Sequence, residues 1–187
     1  MLMKDESDST SGRETILDYE LSWVLRMAAK PDCSEQLKHQ CRHILFTLIN
    51  EKDADVEIEE VKTWKQWEKV DLIADIYLVR NGVKELHVLL VEDKAYTLMT
   101  EHQRDDYPKL VKDAYNKLEC YKSYQRKYIL HQALVTCYDK DDSNYKKLAD
   151  FISCNNSEWK LFSIEELIEG VELTGSDLFD EFWIKSW

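Results

Sequence analysis

The stretch Lys69–Lys94, KVDLIADIYLVRNGVKELHVLLVEDK, decides the fold. Two apolar runs flank Asn81-Gly82, the dipeptide that most strongly signals a two-residue type I′ hairpin, because both central positions need positive φ. The turn sets the register. With Arg80 opposite Val83, counting outward pairs Leu78 with Glu85, Asp75 with Val88 and Asp71 with Glu92. Side chains alternate along a strand, so Glu92 and Lys94 share a face with Leu86, Val88 and Leu90, while Asp93 points to the other face. The run from Leu86 to Val91 is apolar on both faces, which marks a central strand covered by helices.

Two acids opposite one another destabilise a strand pair, and a carboxylate beside an apolar face is costly unless something neutralises it. A divalent cation with Lys94 next to it meets that need, since carboxylate and carbonyl oxygens suit Mg²⁺. A structural ion pair, with Lys94 bridging two acids at a wet strand end, meets it equally well.

An Asp on one strand, a hairpin, and Glu-x-Lys ending the next strand resemble the PD-(D/E)XK nuclease superfamily. Val70-Asp71 stands where that family has Pro-Asp, with the proline absent, and Glu92-Asp93-Lys94 stands at its Glu-x-Lys. Further on, Gln103-Arg104-Asp105-Asp106-Tyr107 is similar to the Gln-x-x-x-Tyr motif that RecB-type members carry on the helix after the hairpin. The resemblance spans roughly Glu14 to Cys137. It implies an α/β fold with a restriction-endonuclease-like core (αβββαβ), a central mixed sheet of four to five strands flanked by helices. It also implies a metal-dependent nuclease that hydrolyses phosphodiester bonds in nucleic acid, with DNA expected as the substrate and Mg²⁺, or Mn²⁺ in its place, as the cofactor. Asp71, Glu92 and the Asp93 backbone carbonyl would then hold the metal, and Lys94 would act beside it. Gln103 and Tyr107, one helical turn apart, would orient Lys94 or the substrate. Asp75 is the reserve for Asp71. A homodimer is compatible with a small nuclease that cuts both strands of a duplex.

Upstream, Glu14 to about Lys30 has helical apolar spacing (Ile16, Leu17, Leu21, Val24, Leu25, Ala28) and stops at Pro31. On a helical wheel Glu20 falls inside the apolar sector, opposite Asp18, Ser22 and Arg26. The resemblance makes Glu20 the helix acid that reaches the metal, with Glu35 as runner-up; a Glu at the helix edge paired with a nearby base is the plainer reading. A second helix, Ser34 to Asn50, places Glu35, His39 and His43 on its solvent side. Asp55–Thr63 alternates as a half-wet strand, and Trp64 and Trp67 read as a connector. After Lys94 come a loop, a helix from Gln103 to about Tyr124, a strand over Tyr128–Cys137, a short helix over Tyr145–Ser153, an edge strand over Trp159–Phe162 and a capping box at Ser163–Glu166. Phe179, Phe182, Trp183 and Trp187 read as core.

With 187 residues, 44% hydrophobic and 33% charged, one domain is expected over residues 14–187, behind a polar, disordered tail at 1–13. No apolar run is long enough to span a membrane and the first residues lack a signal-peptide core, so a cytoplasmic protein is expected. The five cysteines are scattered without a C-x-x-C pair, which argues against a disulfide framework or a zinc ribbon. The net charge of −12 opposes phosphate binding. It leaves a second reading open, a non-catalytic acidic interaction protein that keeps the nuclease fold. The locally basic run from Pro108 to Lys127 is either a phosphate-facing side or a solvated helix face.

Overall fold

A computed structural model describes residues 10–52, 56–117, 128–154 and 157–185. The elements are α1 (Thr10–Met27), α2 (Glu35–Ile49), β1 (Val56–Trp67), β2 (Val70–Arg80), β3 (Val83–Lys94), α3 (Glu101–Lys117), β4 (Ile129–Thr136), α4 (Ser143–Ser153) and β5 (Trp159–Ser163). Two short helical turns follow, α5 (Ile164–Leu167) and α6 (Asp177–Phe179), the second running into a π turn at Asp180–Ile184. The five strands form one sheet in chain order. β1, β2 and β3 pair antiparallel, and β3, β4 and β5 pair parallel. Parallel neighbours need a crossover, and α3 supplies the one between β3 and β4. This is the mixed, helix-flanked sheet expected, with α2 added ahead of the core strands. The expected extension of α3 to Tyr124, and the basic residues Lys122, Arg126 and Lys127, lie outside the described residues, as do Met1–Ser9 and Trp187.

The counted register holds as far as the Leu72–Val91 pair, where the ladder ends one pair short of the expected Asp71–Glu92. Arg80 pairs with Val83, Leu78 with Glu85 and Asp75 with Val88, across a turn in which Asn81 and Gly82 have φ of 52° and 76°. Two boundaries differ from expectation. α1 begins at Thr10, inside the stretch read as a tail. β1 continues through Trp64 to Trp67, which pairs with Val70, because Glu68 and Lys69 form a second tight turn with φ of 49° and 79°. Neither is Gly or Asn, so nothing in the sequence announces it.

Each face of the sheet is covered. α1, α2 and the terminal helices pack on Leu72, Ala74, Ile76, Leu89 and Val91, with Phe179, Phe182 and Trp183 buried among them. α3 and α4 cover Ile73, Val88 and Leu90 with Tyr107, Val111, Tyr115 and Leu148. Burial of this apolar area is the main stabilising term, about 25 cal/mol per Å². Helix ends are satisfied locally. Ser34 accepts from Leu37 N, Asn50 closes α2 in the left-handed region, and Ser163 with Glu166 forms the expected capping box. Inside α3, Pro108 has no N–H to offer the Arg104 carbonyl one turn back. The Trp159 indole donates to that oxygen instead, at 2.9 Å.

The α1 wheel requires a correction. Asp18 and Ser22, placed on the wet side by apolar spacing, are 6% and 3% exposed. The polar stripe is buried because it finds polar partners on β1: Ser22 Oγ bonds Thr63 Oγ1 at 2.9 Å, and Gln66 Nε2 donates to Asp18 Oδ2 at 3.2 Å. Only Arg26 of the three is exposed.

Candidate active site

At the C-terminal end of β3, side-chain alternation sends Glu92 and Lys94 to the α3 side and Asp93 to the α1 side. Lys94 Nζ lies 2.7 Å from Glu92 Oε1, 2.9 Å from the Asp93 carbonyl oxygen and 3.7 Å from Asp71 Oδ2. Asp71 Oδ2 also accepts from Asp93 N at 3.2 Å, so the strand-start acid and the strand-end motif are tied together. The lysine is anchored from below, where Thr136 Oγ1 donates to the Lys94 carbonyl at 2.8 Å.

This cluster is nearly dry. Glu92 is fully buried and Lys94 is 7% exposed. Burial, reinforced by Asp71 and opposed by Lys94, raises the Glu92 carboxyl to about 8. For Lys94, burial works against the charge, but the adjacent Glu92 outweighs it and the ammonium is held above its usual range. Glu92 Oε2 is buried with no hydrogen-bond partner. On the other face Asp93 and Asp18 meet. As carboxylates they leave both Asp93 oxygens and Asp18 Oδ1 buried without a donor; a proton shared between them joins one Asp93 oxygen to Asp18. Burial and Asp18 accordingly push Asp93 up to about 11, and burial also raises Asp18.

α3 delivers the two residues read from the Gln-x-x-x-Tyr spacing. Gln103 Nε2 donates to Glu92 Oε1 in a short hydrogen bond, while its Oε1 accepts from Thr100 N and Oγ1. One turn on, Tyr107 is 7% exposed. Its phenol is raised first by burial and then by the charges of Glu92 and Asp71.

The structure therefore gathers Asp71, Glu92, Asp93, Lys94, Gln103 and Tyr107. Asp75 is placed apart: it is fully buried further along β2, accepting from Tyr115 Oη at 2.6 Å and Tyr77 Oη at 3.3 Å. Glu20 is not drawn in. Burial alone raises its carboxyl, to about 7, with no contribution from the cluster's charges. Glu35 is exposed on α2. The α1 acids that do reach the cluster are Asp18, through Asp93 and Asp71, and Glu14, which accepts from Thr97 Oγ1 at 2.5 Å and helps to raise Lys94. Their i, i+4 spacing was the available signal.

The arrangement offers two carboxylates, a backbone carbonyl and an ammonium at the end of a mixed sheet. The sequence matches the family model of the PD-(D/E)XK nuclease superfamily over residues 2–180, and the chain belongs to that superfamily. No curated protein matches it. Among solved structures, the MspJI restriction endonuclease in complex with a 27-mer oligonucleotide is similar over 99% of this chain and 38% of its own length. The identity is 12% and the TM-score 0.35, a likeness too slight to carry weight.

Proposed function

We propose that the chain is a divalent-metal-dependent nuclease that hydrolyses phosphodiester bonds, with DNA as the substrate, Mg²⁺ or Mn²⁺ as the cofactor and the cytoplasm as the setting. Membership of the nuclease superfamily supports the reaction class. The observation that carries the reading is that Asp71 Oδ2, Glu92 Oε1 and the Asp93 carbonyl converge on one cation, the Lys94 ammonium, while Glu92 Oε2 is left buried without a donor.

The donor set fits a hard divalent ion. Among the described residues no three His, Cys, Asp or Glu side chains could hold a metal, so the set is two carboxylates and a carbonyl. Mg²⁺ accepts such a set, because it keeps several waters and takes one or two carboxylates beside substrate phosphate. A bound divalent ion would supply an acidified water and neutralise charge building on the phosphoryl oxygens. The chain's residues do the rest. Lys94, displaced from the oxygens it now bridges, places its compact charge against the phosphate or the attacking water. Gln103 holds Glu92 in one rotamer, and Tyr107 closes the α3 side against bulk water. Of the α1 acids, Glu20, assigned to the metal from the resemblance, is raised by burial alone, whereas Asp18 interacts with Asp93 and Asp71.

The test is cleavage of plasmid and single-stranded DNA with Mg²⁺ or Mn²⁺, beside a chelator control and Lys94→Ala. Nicking that both controls abolish is expected. The net charge of −12 favours a second reading, an acidic interaction protein on the same fold. A well-folded protein inert on DNA and RNA would favour that one.

A further inference from the structure

A cavity of about 370 Å³ opens beside the cluster, between α3 and the Glu68–Lys69 turn that leads into Asp71. Its size falls in the range of small-molecule sites, roughly 300–1,000 Å³. Tyr107, the wall it shares with the catalytic cluster, packs edge-on against His102 with ring centroids 5.4 Å apart. Leu110 adds an apolar surface, and Glu68, Asp106, Asp113 and Lys69 supply the charges. Asp106 is already engaged by His102 at 2.8 Å and Lys109 at 3.0 Å. Glu68 and Asp113 make no hydrogen bond or ion pair among the described residues.

A phosphate in this cavity would face three carboxylates against one ammonium, so the occupant is not an anion. In a nucleic-acid strand the part without a negative charge is the base, which also has a π-face that can stack on the exposed His102 ring. Carboxylates accept and never donate, so they select bases carrying an exocyclic amino group, as Asp and Glu do when they accept from cytosine N4. Lys69, exposed at the rim, is placed for the phosphate flanking that base.

We propose that this cavity is a nucleobase pocket that takes an unstacked, amino-bearing base of the strand being cut, read by Asp113 and Glu68. The pocket rests on the nuclease reading and makes the substrate a single strand, or a duplex with one base turned out.

The experiment compares oligodeoxycytidine with oligodeoxyuridine, whose bases differ at C4, amino against carbonyl, and at N3, acceptor against a single N–H donor, so that cytosine offers carboxylates two N–H bonds and uracil one. Binding is read by fluorescence anisotropy of end-labelled strands in Ca²⁺, and cleavage is read separately in Mg²⁺. The cytidine strand should bind on the order of tenfold more tightly, the value of one hydrogen bond to a charged group. Asp113→Asn, whose amide can donate to the uracil O4, should shrink that ratio by strengthening uridine binding relative to cytidine. Leu110→Trp, which fills the cavity, should remove the ratio even if Asp113→Asn folds poorly. Equal binding of the two strands, or a preference that survives Leu110→Trp, would overturn the pocket whether or not the protein cleaves. Preference in binding without cleavage in Mg²⁺ would support the pocket and sink the nuclease reading instead.

Discussion

The two ends of strand β3 bury titratable groups in opposite ways. At the N-terminal end His87, fully buried, has its Nδ1 2.9 Å from His131 Nε2, with the rings stacked at 5.1 Å; its Nε2 lies 3.4 Å from Glu85 Oε2. Glu85 in turn lies 3.9 Å from Arg80, which bonds Glu51 at 3.0 Å. Both nitrogens of the His87 ring have a protein partner, and the buried atom left without a hydrogen bond there, Arg80 Nε, is a donor. At the C-terminal end Glu92 Oε2 has none, and Asp93 meets Asp18 only by sharing a proton. Buried polar groups are ordinarily satisfied, and an unmade hydrogen bond costs about 1–3 kcal/mol. The first end is structure. The second keeps acceptors in reserve, which is what a cation site requires.

The largest effect should come from Glu92→Gln, which removes a reserved charge but keeps the shape. Cleavage should drop at least about a hundredfold. Because the substitution also deprives the buried Lys94 ammonium of its 2.7 Å partner, thermal melting should fall with it; undiminished cleavage by the folded fraction would make Glu92 a structural acid. Next is Gln103→Ala, which frees Glu92 from its one amide donor. Steady-state assays should find cleavage down by roughly tenfold to a hundredfold, as for groups that orient a metal ligand.

The opposite end should answer in stability alone. Removing His131 with His131→Ala strands the His87 ring nitrogen and should cost about 1–3 kcal/mol in denaturant unfolding, with cleavage by the folded fraction unchanged. Loss of activity without loss of stability would blur the contrast. The pair also predicts a pH response. Burial lowers both imidazoles, His131 to about 4, with His87 opposing protonation of His131 and Glu85 and Glu51 partly offsetting the effect on His87. Depressed values mean that the folded state binds fewer protons than the unfolded one. Their contribution to stability is therefore present above the usual histidine range and is lost as pH falls from about 6.5 towards 4. His131→Ala should flatten that stretch of the pH–stability curve.

The smallest effects lie in the turns at the two ends. Gly82 has φ of +76° with open space where a Cβ would sit, so Gly82→Ala should cost about 1 kcal/mol from backbone strain alone. Lys69, at φ 79° in the turn before Asp71, carries that strain already. Lys69→Gly should stabilise the fold by a similar amount, about 1 kcal/mol. Equal melting temperatures for these two variants and the wild type would mean that neither turn is strained.

The same contrast explains what the sequence made legible. Asn81-Gly82 announces its turn, and the register counted from it followed as far as the Leu72–Val91 pair, with Asp71 reaching Lys94 and Asp93 N through its side chain and Asp93 pointing to the reverse. The four-residue spacing from Gln103 to Tyr107 likewise survives in any helix. The Glu68–Lys69 turn was hidden because two ordinary residues occupy a conformation that Gly and Asn normally fill. Asp18 was hidden for another reason. A helical wheel separates apolar from polar but cannot tell a polar face in water from one buried against Thr63 and Gln66. The apolar sector thus pointed to Glu20, whose neighbourhood is simply hydrophobic.

The central claim is that the oxygens around Lys94 form a divalent-cation site. The most direct measurement is Mn²⁺ binding by isothermal calorimetry to the wild type and to Glu92→Gln at the same neutral pH. Binding by the wild type that Glu92→Gln abolishes is the predicted result, while equal binding by both proteins, or none by a folded wild type, would contradict it.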